Sequence, residues 1–144
     1  MSIQVKIVEN DDELQQVHQI RQTVFVLEQH CPPEEEFDQY ENEAVHFLVT
    51  ENDSPIGAGR FRTVNGDGKV ERICIKKEAR KTGAGRLLME KIESYAQTLE
   101  LSKIRLNAQV QAIPFYQKLG YTICSEEFME ANIPHHSMEK STNK

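Results

Sequence analysis

Paired cysteines, a long apolar run and an excess of positive charge are all missing from this chain, and each absence removes a class of protein. The three cysteines, Cys31, Cys74 and Cys124, are an odd number with no CxxC pair. They support neither a disulfide framework nor a zinc site, and they suit a reducing cytosol. No stretch approaches the ~20 apolar residues of a membrane span. Charges at Lys6, Glu9, Asp11, Asp12 and Glu13 interrupt the first segment, so no signal-peptide core is expected. A net charge of −6 lacks the basic footprint of a nucleic-acid binder. Internal repeats, low-complexity tracts and Pro/Ser-rich linkers are absent too, so the 144 residues read as one domain, 1–144. A chain of this length buries roughly 68–70% of its unfolded surface and needs neither metal nor disulfide to hold it. The expectation is a soluble, cytoplasmic protein that binds no metal, nucleic acid or membrane.

The charge that is present is unevenly spread. Residues 34–43 hold six acids and no base, whereas residues 76–91 hold six bases and two acids, a local +4 in an acidic protein. Most such runs are solvated faces. The basic one differs because it surrounds a glycine-rich turn.

Hydrophobic periodicity organises the rest. Ile3, Val5 and Ile7 alternate with polar residues and predict a first strand, ended by Asn10-Asp11-Asp12. Leu14, Val17, Val24 and Phe25 fall near helical spacing and predict a helix over about 12–27, stopped by Cys31-Pro32-Pro33. The acidic stretch 34–43 reads as a loop or short helix. Strands follow at Val45–Glu51, Ile56–Val64 and Lys69–Ile75, the last two joined by the hairpin signal Asn65-Gly66-Asp67-Gly68. A long helix then begins near Gly83, with Leu87, Leu88, Ile92, Tyr95, Ala96 and Leu99 on one face. Beyond it the pattern predicts a strand at Lys103–Ala108, a short helix at Ala112–Lys118 ended by Gly120, and strands at Tyr121–Ser125 and His136–Lys140. The sum is an α/β (α+β) fold: a mixed, mostly antiparallel twisted sheet of about six to seven strands flanked by helices.

The sharpest local signal is Arg80-Lys81-Thr82-Gly83-Ala84-Gly85-Arg86, between the apolar strand Ile73-Cys74-Ile75 and the long helix. The first amides of a helix have no partner within it, and the helix dipole adds about half a positive charge there. Gly83, Ala84 and Gly85 let a phosphate approach those amides, and Arg80, Lys81 and Arg86 supply further positive charge. This reads as a pyrophosphate cradle. A Walker loop, GxxxxGK[ST], is absent, which disfavours ATP or GTP hydrolysis. The dinucleotide fingerprint GxGxxG fails because Leu88 stands where its third glycine belongs.

Arg80-x-x-Gly83-x-Gly85 after a hydrophobic strand resembles the donor-site signature of the GNAT acetyltransferase superfamily, R/Q-x-x-G-x-G/A. A second block, Gln109-Val110-Gln111-Ala112-Ile113-Pro114-Phe115-Tyr116-Gln117-Lys118-Leu119-Gly120-Tyr121, resembles that family's N-x-x-A-x-x-F/L-Y-x-K-x-G-F/Y, with Gln109 where Asn is commoner. Nearly the whole chain is similar to a small bacterial branch, the ElaA/YjcF-like proteins. The likeness runs through Arg21-x-x-Val24-Phe25-Val26-x-Glu28-Gln29, His46, Leu106-x-Ala108-Gln109 and Ile133-Pro134-His135-x-x-Met138.

The resemblance implies an acetyl-CoA-dependent N-acetyltransferase acting on a small-molecule primary amine. Pantetheine would enter as a pseudo-strand beside 73–75, with the Ile73 N–H on the acetyl carbonyl and Ile75 on the arm. Cys74, residues 80–86, Gln109 and Phe115 complete the implied coenzyme site. Tyr116 is implied as the general acid for the departing thiolate. For the base, Glu71 stands two residues before Ile73, so strand alternation would place both side chains on one face. Glu28, His46 and His135 are alternatives, and Glu28, Gln29 and His135 are implied at the acceptor site. A thiol route through Cys74 lacks a neighbouring His in the sequence. A coenzyme-binding module without catalysis is the reading from another class. The acceptor itself is not legible: the acids of 34–43 suit a cationic amine, whereas Arg21, Arg60 and Arg62 suit a phosphorylated amino sugar. The superfamily leaves a homodimer open.

Overall fold

The protein is described here by a computed structural model covering residues 3–29 and 43–142. Its strands are β1 (Ile3–Ile7), β2 (Val45–Glu51), β3 (Ser54–Val64), β4 (Asp67–Ile75), β5 (Lys103–Gln109), β6 (Thr122–Ile123), β7 (Phe128–Glu130) and β8 (Ile133–Ser141). The helices are α1 (Asp11–Arg21), continued by a π-helical stretch Gln22–Glu28, then α2 (Ala84–Thr98) and the short α3 (Ile113–Lys118). One sheet runs in the order β1-β2-β3-β4-β5-β8-β6, with β7 pairing β8 off this path. Among the described residues only β4 and β5 pair in parallel; every other pairing is antiparallel.

Among the described residues the sheet has seven strands in its main path, as expected, and an eighth, β7, which at three residues is too short for a periodic signal. The expected strand over Tyr121–Ser125 shrinks to Thr122–Ile123. The predicted loop or helix at 34–43, save Glu43, and the stop at Cys31-Pro32-Pro33 lie outside the described residues.

Period-two alternation in the strands supplies two cores, one on each face. Phe47, Val49, Phe61, Val70, Ile104, Leu106, Ala108 and Met138 pack with α2 and Tyr116. Leu48, Ala58 and Cys74 point the other way and pack with Val17, Ile20 and Val24 of the first helical segment. That segment starts where Asn10 accepts a hydrogen bond from the Glu13 amide at 2.9 Å, while the Glu13 carboxylate accepts one from the Glu9 amide at 2.8 Å. Asn10 is thus the N-cap, Glu13 reaches one residue further back, and three acids in the first turn suit the positive end of the dipole. On α2 the buried stripe is Ala84, Leu88, Met89, Ile92 and Ala96. Leu87 and Leu99, expected on that face, are instead 40% and 42% exposed, since Met89 takes the inward position.

One irregularity in β4 decides the geometry of the whole centre. Its register with β3 passes from Glu71 opposite Arg60 to Cys74 opposite Ala58, so Arg72 and Ile73 together oppose Gly59. Arg72 has φ of 56°, the left-handed conformation that a bulge requires. Gly59 admits the bulge: a Cβ there would lie 2.8 Å from Ile73 Cδ1.

Candidate active site

The bulge separates β4 from β5. Their parallel pairing covers only Gly68–Val70 against Ile104–Leu106, and from Glu71 onward the strands have no register with each other. A cleft of about 620 Å³ opens in the gap, lined by Ile73, Cys74 and Ile75 on one side and Ala108, Gln109 and Tyr116 on the other. The peptide edge of 73–75 that faces β5 therefore has no strand partner and is available to an extended ligand.

At the head of the cleft stands the glycine turn. Gly83 caps α2 with φ of 90°, and a Cβ there would meet nothing within 4 Å, so this point is open to a ligand. The first backbone bond of the helix is donated by the Leu87 amide to the Gly83 carbonyl, leaving the earlier amides without a helical acceptor. Thr82 Oγ1 donates to the Ala79 carbonyl at 2.6 Å and accepts weakly from the Ala84 amide at 3.4 Å. The other two small residues do different work. Ala84 points into the core, and Gly85 lies against Phe115, whose Cζ would be 3.2 Å from an added Cβ. Lys81 is exposed with φ of 68°. Arg86 pairs with Glu90 one turn on, and Arg80 folds back so that Nε donates to the Ile75 carbonyl at 2.8 Å. Of the three bases, Arg80 alone lines the cleft.

Tyr116 is buried between the rings of Phe115 and Tyr121, with centroids 5.0 and 5.9 Å away. Burial, with Cys74 nearby, pushes its phenol above the ordinary value, so it stays protonated through the physiological range. Cys74 is reduced and sits in the apolar cluster under α1.

Glu71 departs from expectation. Because of the bulge, Glu71 and Ile73 lie on opposite faces: Ile73 packs with the α2 core, whereas Glu71 meets the guanidinium groups of Arg60 and Arg62. Arg60 Nε and Arg62 Nε both donate to Glu71 Oε1 at 2.9 Å, and Arg62 Nη2 donates to Oε2 at 2.9 Å. Burial alone would raise the carboxyl, but the hydrogen bonds and charges of Arg62, Arg60 and Lys69 outweigh it and hold it at about 2. A carboxylate so held is a weak proton acceptor at neutral pH. His46, another candidate base, stands edge-on to His18 at 6.3 Å and does not line the cleft.

The α1 side of the cleft gathers the remaining candidates. Glu28 pairs with Arg80, and Gln29 Oε1 accepts from Gln109 Nε2 at 2.8 Å. Gln109 Oε1 in turn accepts from Gln111. His135 lies opposite Gln109 in the β5–β8 register and is 5% exposed. Phe25, Asn107 and Glu130 also line this side and were not expected. Asn107 shares a strand face with Gln109, a parity that could have found it; Glu130 sits on β7, which carried no signal.

The family and the fold are shared with known proteins. The family profile described as an acetyltransferase (GNAT) domain matches residues 8–142. The uncharacterized N-acetyltransferase YjcF of Bacillus subtilis is 46% identical over 93% of this chain and 96% of its own. Protein ElaA of Escherichia coli is 28% identical over 85% of this chain and 83% of its own. The crystal structure of ElaA superposes with a TM-score of 0.82, covering 96% of this chain and 99% of that one. An aminoglycoside 6'-N-acetyltransferase solved with coenzyme A shares the fold at 13% identity, with a TM-score of 0.79 and 98% of each chain covered.

Proposed function

Because this chain belongs to the GNAT acetyltransferase family, in its ElaA/YjcF-like branch, we propose that it transfers an acetyl group directly from acetyl-CoA to a primary amine of a small molecule. The observation that carries the proposal is the one-sided opening of β4. A strand edge released from β5 lines the cleft together with Tyr116 and Arg80, and Arg80 stands three residues before the open, left-handed cap of α2. Pantetheine fits that edge as a pseudo-strand, and its diphosphate fits the amides around Gly83. The Ile73 N–H would hold the thioester carbonyl and the oxyanion that forms when the amine attacks. Tyr116, kept protonated by burial, would deliver a proton to the departing thiolate. Phe115, against Gly85, forms the wall on the far side of the loop.

Two residues take altered parts in this reading. Arg80 organises the loop through Ile75 and Glu28 before it meets any phosphate. Glu71 is a structural counter-ion for the buried Arg60 rather than the base.

The test is coenzyme binding by calorimetry beside an amine screen read by CoA thiol release. Saturable CoA binding with turnover on at least one amine supports the proposal. No binding at saturating coenzyme would overturn it. The engagement of Glu71 by two arginines also suits a second reading, a coenzyme-binding module without catalysis; binding with no turnover on any amine would favour that one.

A further inference from the structure

With Glu71 committed to Arg60 and Arg62, the proton that an ammonium acceptor must lose needs another destination on the α1 side of the cleft. His135 lines that side and is 5% exposed. Its Nδ1 lies 2.6 Å from the Ile133 carbonyl oxygen. A carbonyl can only accept, so Nδ1 carries the ring proton and Nε2 carries the lone pair. The ring is fixed further by stacking on Phe128, with centroids 5.9 Å apart and planes at 21°. Glu130 Oε2 stands 3.9 Å from Nε2. That is too far for a hydrogen bond, and the Glu130 carboxylate instead accepts from Asn107 Nδ2 at 3.1 Å through Oε1, so Nε2 stays open to the cleft.

We infer that His135 Nε2 is the general base of the transfer. The assignment rests on the acetyl-transfer reading above. In the step, the ammonium gives one proton to Nε2. The freed amine lone pair then attacks the thioester carbonyl carbon, forming the C–N bond and placing charge on the oxygen held by the Ile73 N–H. When that intermediate collapses the C–S bond breaks, and Tyr116 protonates the thiolate. The phenolate recovers its proton from the new amide nitrogen, and His135 releases its own to solvent. One N-acetyl amine, one CoA thiol and one proton leave.

Other charged groups share the cleft and bear on any pH profile. Arg62, Lys69, Glu71 and Arg72 come from β3 and β4, and Arg80 comes from the loop. Glu71, held low by its arginines, keeps its charge between pH 5 and 8.

The test has two arms. Nitrogen-15 NMR of the histidine rings, with His135→Gln to assign the signal, should find the Nδ1–H tautomer of His135 at pH 8; the Nε2–H tautomer would overturn the assignment whether or not any acceptor is known. In the second arm, wild type and His135→Gln acetylate benzylamine, nearly all ammonium at pH 7, and hydroxylamine, nearly all neutral. The variant should lose about 100-fold or more on benzylamine and only a few-fold on hydroxylamine. Equal loss on both would overturn the base while leaving acetyl transfer standing; no wild-type turnover on these or on any amine of the screen would instead bring down acetyl transfer itself. If His135→Gln does not fold, His135→Asn serves with the same two amines, and an equal loss on both counts against the assignment.

Discussion

Arg80 and Glu28, 52 residues apart, meet through two parallel 2.8 Å hydrogen bonds that tie the loop before α2 to the end of the π-helical stretch. The contact joins the loop before α2 to the α1 side of the cleft. The Arg80 hydrogen bond holds the Glu28 carboxyl below its usual range, ahead of the smaller effects of burial and charge. Since more than a third of each side chain is exposed, water screens the pair, and its contribution to stability is about 0.2–1 kcal/mol.

On the proposed reading, a coenzyme diphosphate would compete with that carboxylate for the same guanidinium. Glu28→Ala is therefore expected to bind CoA about 2–5-fold more tightly with little change in melting temperature. Arg80→Ala is expected to bind it about 10–100-fold more weakly, the loss of a charge-assisted hydrogen bond. Calorimetry on both variants checks this; weaker binding by Glu28→Ala would mean the pair is scaffold for the loop.

Tyr116→Phe removes the proton donor while keeping the ring among Phe115 and Tyr121. The expected result is a fall in kcat of about 100-fold or more with CoA affinity unchanged. Full activity in the variant would transfer the role elsewhere. The raised phenol also has a stability signature. The unfolded phenol ionises near about pH 10 while the buried one does not, so stability falls as pH rises past that point. Tyr116→Phe should show a shallower decline.

Glu71 carries the opposite signature at the acid end. Its folded value, about 2, lies below the ordinary 4.5. The stability it contributes is present above 4.5 and is lost as pH falls toward 2. The shift corresponds to ~3 kcal/mol at neutral pH. Glu71→Gln leaves the fully buried Arg60 without its carboxylate and is expected to cost about 3 kcal/mol, with the difference from wild type closing below pH 3. Urea melts across pH 2–7 read it directly. A constant difference at every pH would contradict the ion-pair account.

Gly83→Ala separates conformation from contact. The position is open, so the methyl group touches nothing, but its left-handed backbone costs about 1–2 kcal/mol for a residue with a Cβ. Thermal melts should show that loss. Gly85→Ala should instead act through Phe115, only 3.2 Å from the new Cβ, and raise the Kd for CoA more than it lowers the melting temperature.

Much of this protein was legible in its sequence because the signals are local. The strand expected at Val45–Glu51 is β2 residue for residue, and Asn65-Gly66 placed the turn between β3 and β4. The glycine turn placed the start of α2, since a left-handed cap and a helix both depend on neighbouring residues. The resemblance to the GNAT family likewise followed from two short blocks in order. Tertiary structure alone decided what depends on distant partners. Period two predicts that Glu71 and Ile73 share a face, but the missing side chain of Gly59, on another strand, admits a bulge and puts them on opposite sides. The same bulge opens the cleft and hands Glu71 to Arg60 and Arg62. Arg80 looked like a phosphate ligand because its carboxylate partner lies 52 residues away. No pattern in sequence reports such a meeting, because side-chain pairing is set by where packed strands and helices end rather than by spacing along the chain.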